Sequence, residues 1–317
     1  MAIGSPSRRP GIPLLALLPP PRRRWPRRGN EPFVGGYRLL SPLGKGGTAT
    51  VFLATPLAGG APVAVKILRQ GQAVSSCEHE FAMASAVDVA CTAAPIEYGV
   101  ATAGSYLVTD YLPDYRSGAG MLGAGMSLAA LMAFGSALAN TLTSVHGSGI
   151  VHCDVKPANL LVNDDDVRVI DFGIAQFVGE RGPDDGFVRC SRGWAAPEQL
   201  RDAPLAPSAD IFAWGSVLAY LSTGFHPFAG RDLTEWILRV GSGLPDLTGI
   251  HPGLDRVVRA ALAHDPGDRP SAPELAAICR QVADRGQTLR PRSAASSSAW
   301  EDTPTASRSR GGFTPSG

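Results

Sequence analysis

The sequence predicts an α+β fold of two lobes, in which a small antiparallel sheet with one helix precedes a larger, mainly helical lobe. Two observations predict it. Between residues 37 and 68, apolar and polar residues alternate as in strands, and glycine-rich turns separate the runs. After residue 113, long apolar stretches and amphipathic stretches with helical spacing predominate. A chain of 317 residues is long enough to bury cores of this kind.

Composition divides the chain into three regions. We expect residues 1–35 to form a disordered basic arm rich in proline and arginine, and residues 284–317 to form a disordered tail rich in Ser, Thr, Arg and Pro. The folded domain is expected over 36–283, with the small lobe at 36–112 and the large lobe at 113–283. The arm contains an apolar run, "PLLALL", which is too short to span a bilayer and lacks a signal-peptide cleavage site. Its arginines could contact an anionic membrane surface weakly, although a solvated charge run is the commoner case.

Charge and cysteine usage exclude some classes of protein. The net charge is +1, which gives no overall preference for nucleic acid. The five cysteines have no CxxC spacing, which argues against a metal knuckle or a disulfide framework. The sequence therefore predicts a cytoplasmic protein with free thiols.

The small lobe is predicted from five consecutive stretches. Three strands are expected in "YRLLSPL", "VFLAT" and "VAVKIL", joined as an antiparallel meander. On the third strand, Ala64 and Lys66 share the face opposite to Val63 and Val65, because strand side chains alternate. A helix is expected in "SCEHEFAMASAV", and a further strand, "SYLVTDYL", ends the lobe.

The large lobe is predicted to be built from four helices. The first, "SLAALMAFGSALANTLTSVH", is long and apolar enough to suggest a membrane span, but polar residues such as Ser136 and Asn140 interrupt it. We therefore expect a buried core helix and no transmembrane segment. The stretch "IFAWGSVLAYLSTG" has the same character, and "GLDRVVRAALAH" and "APELAAICRQ" are amphipathic helices that close the domain.

A glycine-rich turn in the small lobe has the character of a phosphate-binding loop. Gly44, Gly46 and Gly47 lie between two predicted strands, where the backbone can approach phosphates and its N–H groups are expected to be free. Lys66 can add a point charge, and Glu80 on the following helix can hold that ammonium in place. The chain has only three lysines, Lys45, Lys66 and Lys156, and each lies in a candidate phosphate-handling segment.

The stretch "HCDVKPANLLVN" gathers polar side chains between apolar runs. Asp154 is placed to accept a proton from an attacking hydroxyl, and Lys156 can neutralise a transferred phosphoryl group. Asn159, and Asp171 at the end of the next apolar strand, offer the hard oxygen ligands that Mg²⁺ prefers. Any one of these residues could be an ordinary turn residue, but the ordered set indicates phosphoryl transfer.

These motifs resemble those of the eukaryotic-type protein kinase family, and the resemblance covers about residues 37–281. It rests on "LGKGGTATV", "VAVK", "HCDVKPAN", "DFG", "APE", "DIFAWG" and "DPGDRP". The stretches "GWAAPEQL" and "TGFHPF" are similar to those of the actinobacterial serine/threonine kinases. Lys156, two residues after the catalytic acid, matches the serine/threonine form of the loop.

The resemblance implies an ATP-dependent enzyme that phosphorylates Ser and Thr hydroxyls of proteins. Asp154 and Lys156 would be catalytic, and Asn159 and Asp171 would hold Mg²⁺ or Mn²⁺. The residues that would contact ATP are Leu43, Gly44, Lys45, Gly46, Gly47, Thr48, Ala49, Thr50, Val51, Ala64, Lys66, Glu80, Asp110 and Leu112.

The resemblance also implies two supporting contacts and shows three departures. Glu198 should pair with Arg269, and Asp210 should brace the catalytic loop from a buried helix. The family register selects Glu80 rather than Glu78 as the acid that pairs with Lys66. The departures are Ala49 for the third loop glycine, Cys153 for the usual arginine, and a short segment between Lys66 and Glu80, which suggests a truncated or loosely held helix.

Two other functions stay open at this point. The departures at Cys153 and Ala49 allow a pseudokinase that acts as a scaffold with weak or no activity, and a small-molecule phosphotransferase can share part of the motif set. Cys190 lies near Cys153 by family register, so a redox pair is a minor hypothesis beside two unrelated thiols. From residue 174 to 190 no hydroxyl residue occurs, and Ser191 is expected to bond Asp154 or Lys156 rather than to carry phosphate.

Overall fold

The computed structural model describes residues 33–288, except for 70–73, 122–125, 165, 181–189, 192 and 202–203, and without side-chain detail for 284–288. Most of the predicted disordered arm, residues 1–32, and most of the predicted tail lie outside these residues. The two-lobed α+β architecture is confirmed, with an antiparallel sheet in the small lobe and helices in the large lobe.

The small lobe contains a six-stranded antiparallel sheet. Its strands are β1 (Phe33–Val34), β2 (Tyr37–Lys45), β3 (Ala49–Pro56), β4 (Val63–Leu68), β5 (Pro95–Ala101) and β6 (Gly104–Asp110), in the order β1-β2-β3-β4-β6-β5. The predicted meander is therefore confirmed as β2, β3 and β4. The prediction missed β1, which is very short, and β5, in which proline and glycine obscure the alternation.

Helix α1 (Val74–Ser85) packs against β5 and β6. On β4, Val63 and Val65 are buried on one face with Val108, while α1 contributes Cys77 to a second cluster on the other face. Lys66 points to this second face, because it alternates with Val65 along the strand. The sheet thus presents Lys66 toward the helix that carries Glu80.

The large lobe contains five helices among the described residues. They are α2 (Leu128–Gly147), α3 (Ser208–Thr223), α4 (Leu233–Ser242), α5 (Pro252–Ala261) and α6 (Ala272–Thr288). Four were predicted. Helix α4 was missed, although Leu233, Trp236, Ile237 and Val240 recur at helical spacing along it.

Helix α2 forms the centre of the large lobe. It is capped by Ser127, and its buried face includes Leu131, Leu138 and Leu142. Gly135 allows close approach of α3, since the Trp214 ring lies against it and the indole Nε1 donates to the Gly135 carbonyl at 2.9 Å. Among the described residues, α2 is the one helix with the length and composition to cross a membrane, and half of that stretch is buried inside the lobe.

Short strands in the large lobe place the candidate site. They are β7 (Arg116–Ser117), β8 (Ile150–Val151), β9 (Leu160–Val162), β10 (Val167–Val169) and β11 (Gln176–Phe177), paired as β10-β9-β7 and β11-β8. The β9–β10 hairpin brings the end of the catalytic loop beside Asp171, with the N–H of Ile170 donating to the Asn159 carbonyl at 2.9 Å.

The limits of the secondary structure differ slightly from the expected domain bounds of 36 and 283. Strand β1 begins at Phe33 because it pairs with β2, and α6 continues to Thr288. The predicted tail from residue 284 therefore begins with helical backbone.

Candidate active site

Lys66 joins the two lobes through two carboxylates. Its Nζ donates to Glu80 Oε1 and Oε2 at 2.7 and 2.6 Å and to Asp171 Oδ1 at 2.8 Å. Strand β4, helix α1 and the turn after β10 thus meet at one ammonium. Glu78, the alternative acid on α1, is exposed.

Burial and charge act in opposite directions on this trio. Burial lowers the pKa of Lys66, but Glu80 and Asp171 raise it above its ordinary value. Burial would raise the pKa of Asp171, but the charge and hydrogen bond of Lys66 lower it. Burial raises the pKa of Glu80 to about 7, because the attraction of Lys66 does not offset desolvation and the repulsion of Asp171. The site therefore keeps Lys66 and Asp171 charged, and Glu80 is easier to protonate than an ordinary glutamate.

Asp154, Lys156 and Asn159 form a second cluster on the catalytic loop. Asp154 Oδ2 accepts from Lys156 Nζ at 2.6 Å and from Asn159 Nδ2 at 2.9 Å. Its other oxygen, Oδ1, is buried without a hydrogen-bond partner in the described part of the chain. Lys156 also donates to the Ser191 hydroxyl, one of the two contacts expected for that serine. A buried carboxylate oxygen thus remains for a ligand's hydrogen-bond donor.

The catalytic loop is held in a strained conformation by a buried carboxylate. Cys153 and Asp171 are the non-glycine residues with positive φ in the described chain, at 66° and 70°. Asp210 on α3 accepts from the backbone N–H groups of His152 and Cys153, each at 2.8 Å. Burial would raise the pKa of Asp210, but its hydrogen bonds, first that from His146, lower it.

Cys153 occupies the position of the usual arginine as a buried thiol. Its Sγ donates to the Val151 carbonyl at 3.4 Å, and its own carbonyl accepts from Gln199 Nε2 at 2.8 Å. Burial and the nearby Asp210 raise the pKa of the Cys153 thiol, and burial followed by the charge of Asp154 raises that of Cys190. Both thiols are free and resist ionisation.

The glycine-rich turn joins β2 to β3 and is partly closed on itself. The Gly46 N–H donates to the Ala49 carbonyl at 2.9 Å, so the expectation of free N–H groups is wrong at this glycine. Gly44 and Gly47 leave open space where a side chain would lie, which is the room that a phosphate group requires. The Ala49 methyl is buried in the cluster with Leu107, so this departure from glycine is accommodated by packing.

The remaining predicted nucleotide contacts lie on neighbouring strands of the small lobe and just beyond them. They are Leu43, Lys45 and Thr48, which are exposed; Thr50, Val51 and Ala64, which are half-buried; and Asp110 and Leu112 at and beyond the end of β6. Val51 and Leu107 flank Lys66 in the strand register. No side-chain hydrogen bond or ion pair between described residues joins this set to the Lys66 or Asp154 clusters.

The ion pair between Glu198 and Arg269 supports the loop that carries Ser191. Arg269 Nη1 and Nη2 donate to the two Glu198 oxygens at 2.6 and 2.9 Å. The guanidinium also donates to the carbonyls of Ser208 and Ala263 and lies over the Phe212 ring.

Sequence reasoning missed two residues that support the site. His146 lies at the end of α2 and bonds Asp210, and Gln199 fixes the Cys153 carbonyl. Both lie in stretches quoted above, His146 at the end of the first predicted helix of the large lobe and Gln199 in "GWAAPEQL". Only tertiary packing brings their side chains to the catalytic loop. The short segment before α1 does not prevent Glu80 from reaching Lys66.

The side-chain oxygens of Asn159 and Asp171 suit a divalent metal that takes its remaining ligands from phosphates and water. Asn159 Nδ2 donates to Asp154, which turns the amide oxygen of Asn159 away from that carboxylate. Asn159 and Asp171 supply hard oxygens, and Mg²⁺ commonly takes one or two such protein ligands with phosphates and waters. No cluster of three His, Cys, Asp or Glu residues suited to a metal occurs among the described residues.

Comparison with known proteins gives a consistent result. The chain matches the protein kinase domain family over residues 37–278. It is 33% identical over 260 residues to the probable serine/threonine-protein kinase PkwA of Thermomonospora curvata, covering 78% of this chain and 34% of the relative. It is 32% identical over 252 residues to the serine/threonine-protein kinase AfsK of Streptomyces coelicolor, covering 77% and 31%. With pkn3 of Myxococcus xanthus it shares 30% identity over 295 residues, covering 83% and 53%.

The chain thus spans about a third of the length of PkwA and AfsK. The family as a whole uses ATP and a divalent metal. Its family match, its relatives and its two-lobed fold agree, and the chain therefore belongs to the protein kinase family, among the eukaryotic-type serine/threonine kinases of bacteria and close in character to actinobacterial members.

Proposed function

We propose that this protein transfers the γ-phosphoryl group of ATP to serine and threonine hydroxyls of other proteins. The observation that carries the proposal is the unpartnered Oδ1 of Asp154, buried beside Lys156 and the Ser191 hydroxyl. A carboxylate in this state can accept a hydrogen bond from an incoming hydroxyl without giving up a protein partner. The position of Ser191 supports short aliphatic hydroxyls as acceptors.

The two clusters divide the work of the transfer. Lys66, held by Glu80, places a positive charge on the nucleotide side of the site, and Lys156 places one on the acceptor side. Asp154 orients the acceptor hydroxyl and takes its proton. Bound Mg²⁺ or Mn²⁺, held by Asn159 and Asp171, would supply positive charge to the phosphate oxygens. The catalytic contribution of the chain is mainly positioning and charge neutralisation.

Free thiols support a reducing compartment for this activity. The five cysteines, Cys77, Cys91, Cys153, Cys190 and Cys279, are free and four of them are buried. We therefore place the enzyme in the cytoplasm. Membrane-surface contact through the basic arm stays a prediction, because residues 1–32 lie outside the described structure. Flotation of the full chain with anionic vesicles tests it.

Transfer of labelled phosphate from γ-labelled ATP tests the proposed function. Wild type, Lys66→Met, Asp154→Asn and Asp171→Asn are compared with Mg²⁺, with Mn²⁺ and with chelator, on a generic protein acceptor. A positioned general base contributes about 10² to 10⁴ in rate, so we expect transfer to be nearly abolished in Asp154→Asn. The exposed Asp114→Asn is the matched control.

The same assay separates the alternatives. Label on protein Ser and Thr supports the proposal. Label on small alcohols or amines alone indicates a small-molecule phosphotransferase, and nucleotide binding without turnover indicates a pseudokinase. If Asp154→Asn retains more than about a tenth of wild-type transfer, the role of Asp154 is wrong.

A further inference from the structure

His79 connects helix α1 to the large lobe. It follows the exposed Glu78 and precedes Glu80, and its Nε2 lies 2.8 Å from the backbone oxygen of Ala175. A carbonyl oxygen can only accept a hydrogen bond, so the Nε2 atom must carry the hydrogen. The imidazole therefore donates across the boundary between the lobes.

The acceptor lies in the turn that follows Asp171. Ala175 is fully buried, and its own N–H donates to the Phe172 carbonyl at 3.1 Å. The turn begins with Asp171 at a φ of 70°, a conformation that non-glycine residues hold only when surrounding contacts fix it. Two links thus join α1 to this turn, one through the Lys66 ammonium and one through His79.

The two links differ in chemistry. The link through Lys66 brings Glu80 and Asp171, two like charges, into one buried place, and desolvation favours protonation of Glu80. The link through His79 is made to a backbone oxygen and does not depend on the charge of Glu80. It can hold α1 near the turn while the charged contact forms.

We propose that His79 is a positioning residue for phosphoryl transfer, whose bond to the Ala175 carbonyl holds α1 against the Asp171 turn and so keeps Glu80 on Lys66. The inference rests on the proposed function. His79 acts through Glu80 and touches no reacting group. Its loss should lower kcat and leave the KM for the protein acceptor unchanged.

Three substitutions at one position test this role. His79→Gln can place an amide N–H near the position of Nε2, whereas His79→Asn places it near Nδ1, and His79→Leu removes the donor. Because a hydrogen bond of this kind contributes modestly, we expect kcat to fall about threefold to tenfold in the Leu and Asn variants and to recover at least about half in the Gln variant. Glu78→Gln is the matched control on the same helix turn.

A double substitution tests the route through Glu80. In a Glu80→Gln background, His79→Leu should add little further loss, because residues that act through one contact are not additive. Equal kcat in the Gln, Asn and Leu variants, or full multiplication of the two effects, would overturn the proposal. Thermal melting of each variant shows which are folded. If the Leu variant is unfolded, the comparison of kcat between the Gln and Asn variants tests the proposal.

Hydrogen exchange separates this proposal from the proposed function. Amides of α1 should exchange faster in His79→Leu and His79→Asn than in His79→Gln, without any need for turnover. Unchanged exchange contradicts the role of His79. Wild type could transfer no phosphate while α1 still exchanges faster in the Leu and Asn variants. That result would refute the proposed function but leave the role of His79 in holding α1 intact.

Discussion

Glu80 is a buried carboxyl group of the site, and desolvation raises its pKa. Its folded-state pKa of about 7 lies above the ordinary value of 4.5, so the folded protein binds an extra proton between these values. The stability that comes from this raised pKa is fully present below pH 4.5 and is lost as the pH rises through about 7.

The first prediction follows from this loss of stability as the pH rises. The unfolding free energy of wild type relative to Glu80→Gln should fall by up to about 3 kcal/mol between pH 5 and 8. Denaturant unfolding of both proteins across this range measures it, with the exposed Glu78→Gln as the control. A relative stability that stays constant or rises with pH would contradict the burial argument.

The second prediction concerns Cys153 and Cys190. Both thiols have a raised pKa, and the thiolate is the reactive form, so we expect mild peroxide to leave activity unchanged. Phosphate transfer and non-reducing peptide mapping before and after treatment measure this, with Cys190→Ser as the control. Inactivation that dithiothreitol reverses, together with a Cys153–Cys190 crosslink, would establish the redox hypothesis instead.

At the residue scale, motifs predicted which charged residues matter, but not all of their partners. The spacing of "HCDVKPAN" placed Asp154 and Asn159 together because only four residues separate them. The bond from His146 to Asp210 spans 64 positions in sequence, and that from His79 to Ala175 spans 96. Such pairs depend on how helices pack, and no local pattern encodes them.

At the element scale, residues 176–180 after Asp171 are held by backbone hydrogen bonds. Strand β11 pairs with β8. The Gly179 N–H donates to the Leu205 carbonyl at 3.0 Å, and the Leu205 N–H donates to the Glu180 carbonyl at 3.2 Å. Ser191 is engaged by Lys156. In kinases switched by loop phosphorylation, an arginine at position 153 would bind the phosphate.

The third prediction is that phosphorylation of this segment does not switch the enzyme on. Phosphatase-treated protein should retain its activity, and sites that return with ATP should concentrate between Ser293 and Ser316, where hydroxyl residues are dense. Phosphosite mapping alongside the transfer assay measures this. Activity that disappears on dephosphorylation and returns with phosphate on Ser191 would refute it.

The apolar pattern of the sequence located most elements, but β5 and α4 were missed. Strand β4 and helix α2 are mainly apolar, although Ser136 and Asn140 interrupt α2, and the sequence located both. Strand β5 lies at the sheet edge with exposed Tyr98 and Val100 and shows no simple alternation. Helix α4 was missed although its apolar residues recur at helical spacing. Pairing with neighbouring elements determines their structure.

At the scale of the whole molecule, Arg269 joins segments that are far apart in sequence. The side chain is fully buried and binds Glu198 together with the carbonyls of Ser208, the first residue of α3, and Ala263, which follows α5. Removing one partner leaves the other charge buried and uncompensated.

The fourth prediction is therefore a large loss of stability in Glu198→Gln, about 3 kcal/mol or more. Urea unfolding followed by circular dichroism measures it. The neighbouring exposed Asp268→Asn is the control and should change stability little. A variant at Glu198 as stable as this control would show that the pair contributes no net stability.

The burial of α2 has a consequence for synthesis of the chain. Helix α2 is covered on one side by α6, and the Ser136 hydroxyl reaches the Ala276 carbonyl. A ribosome releases α2 long before it releases α6, so this apolar helix emerges without its cover. During that interval α2 exposes an apolar surface with the length and composition of a membrane span, and synthesis of α6 then covers one side of it.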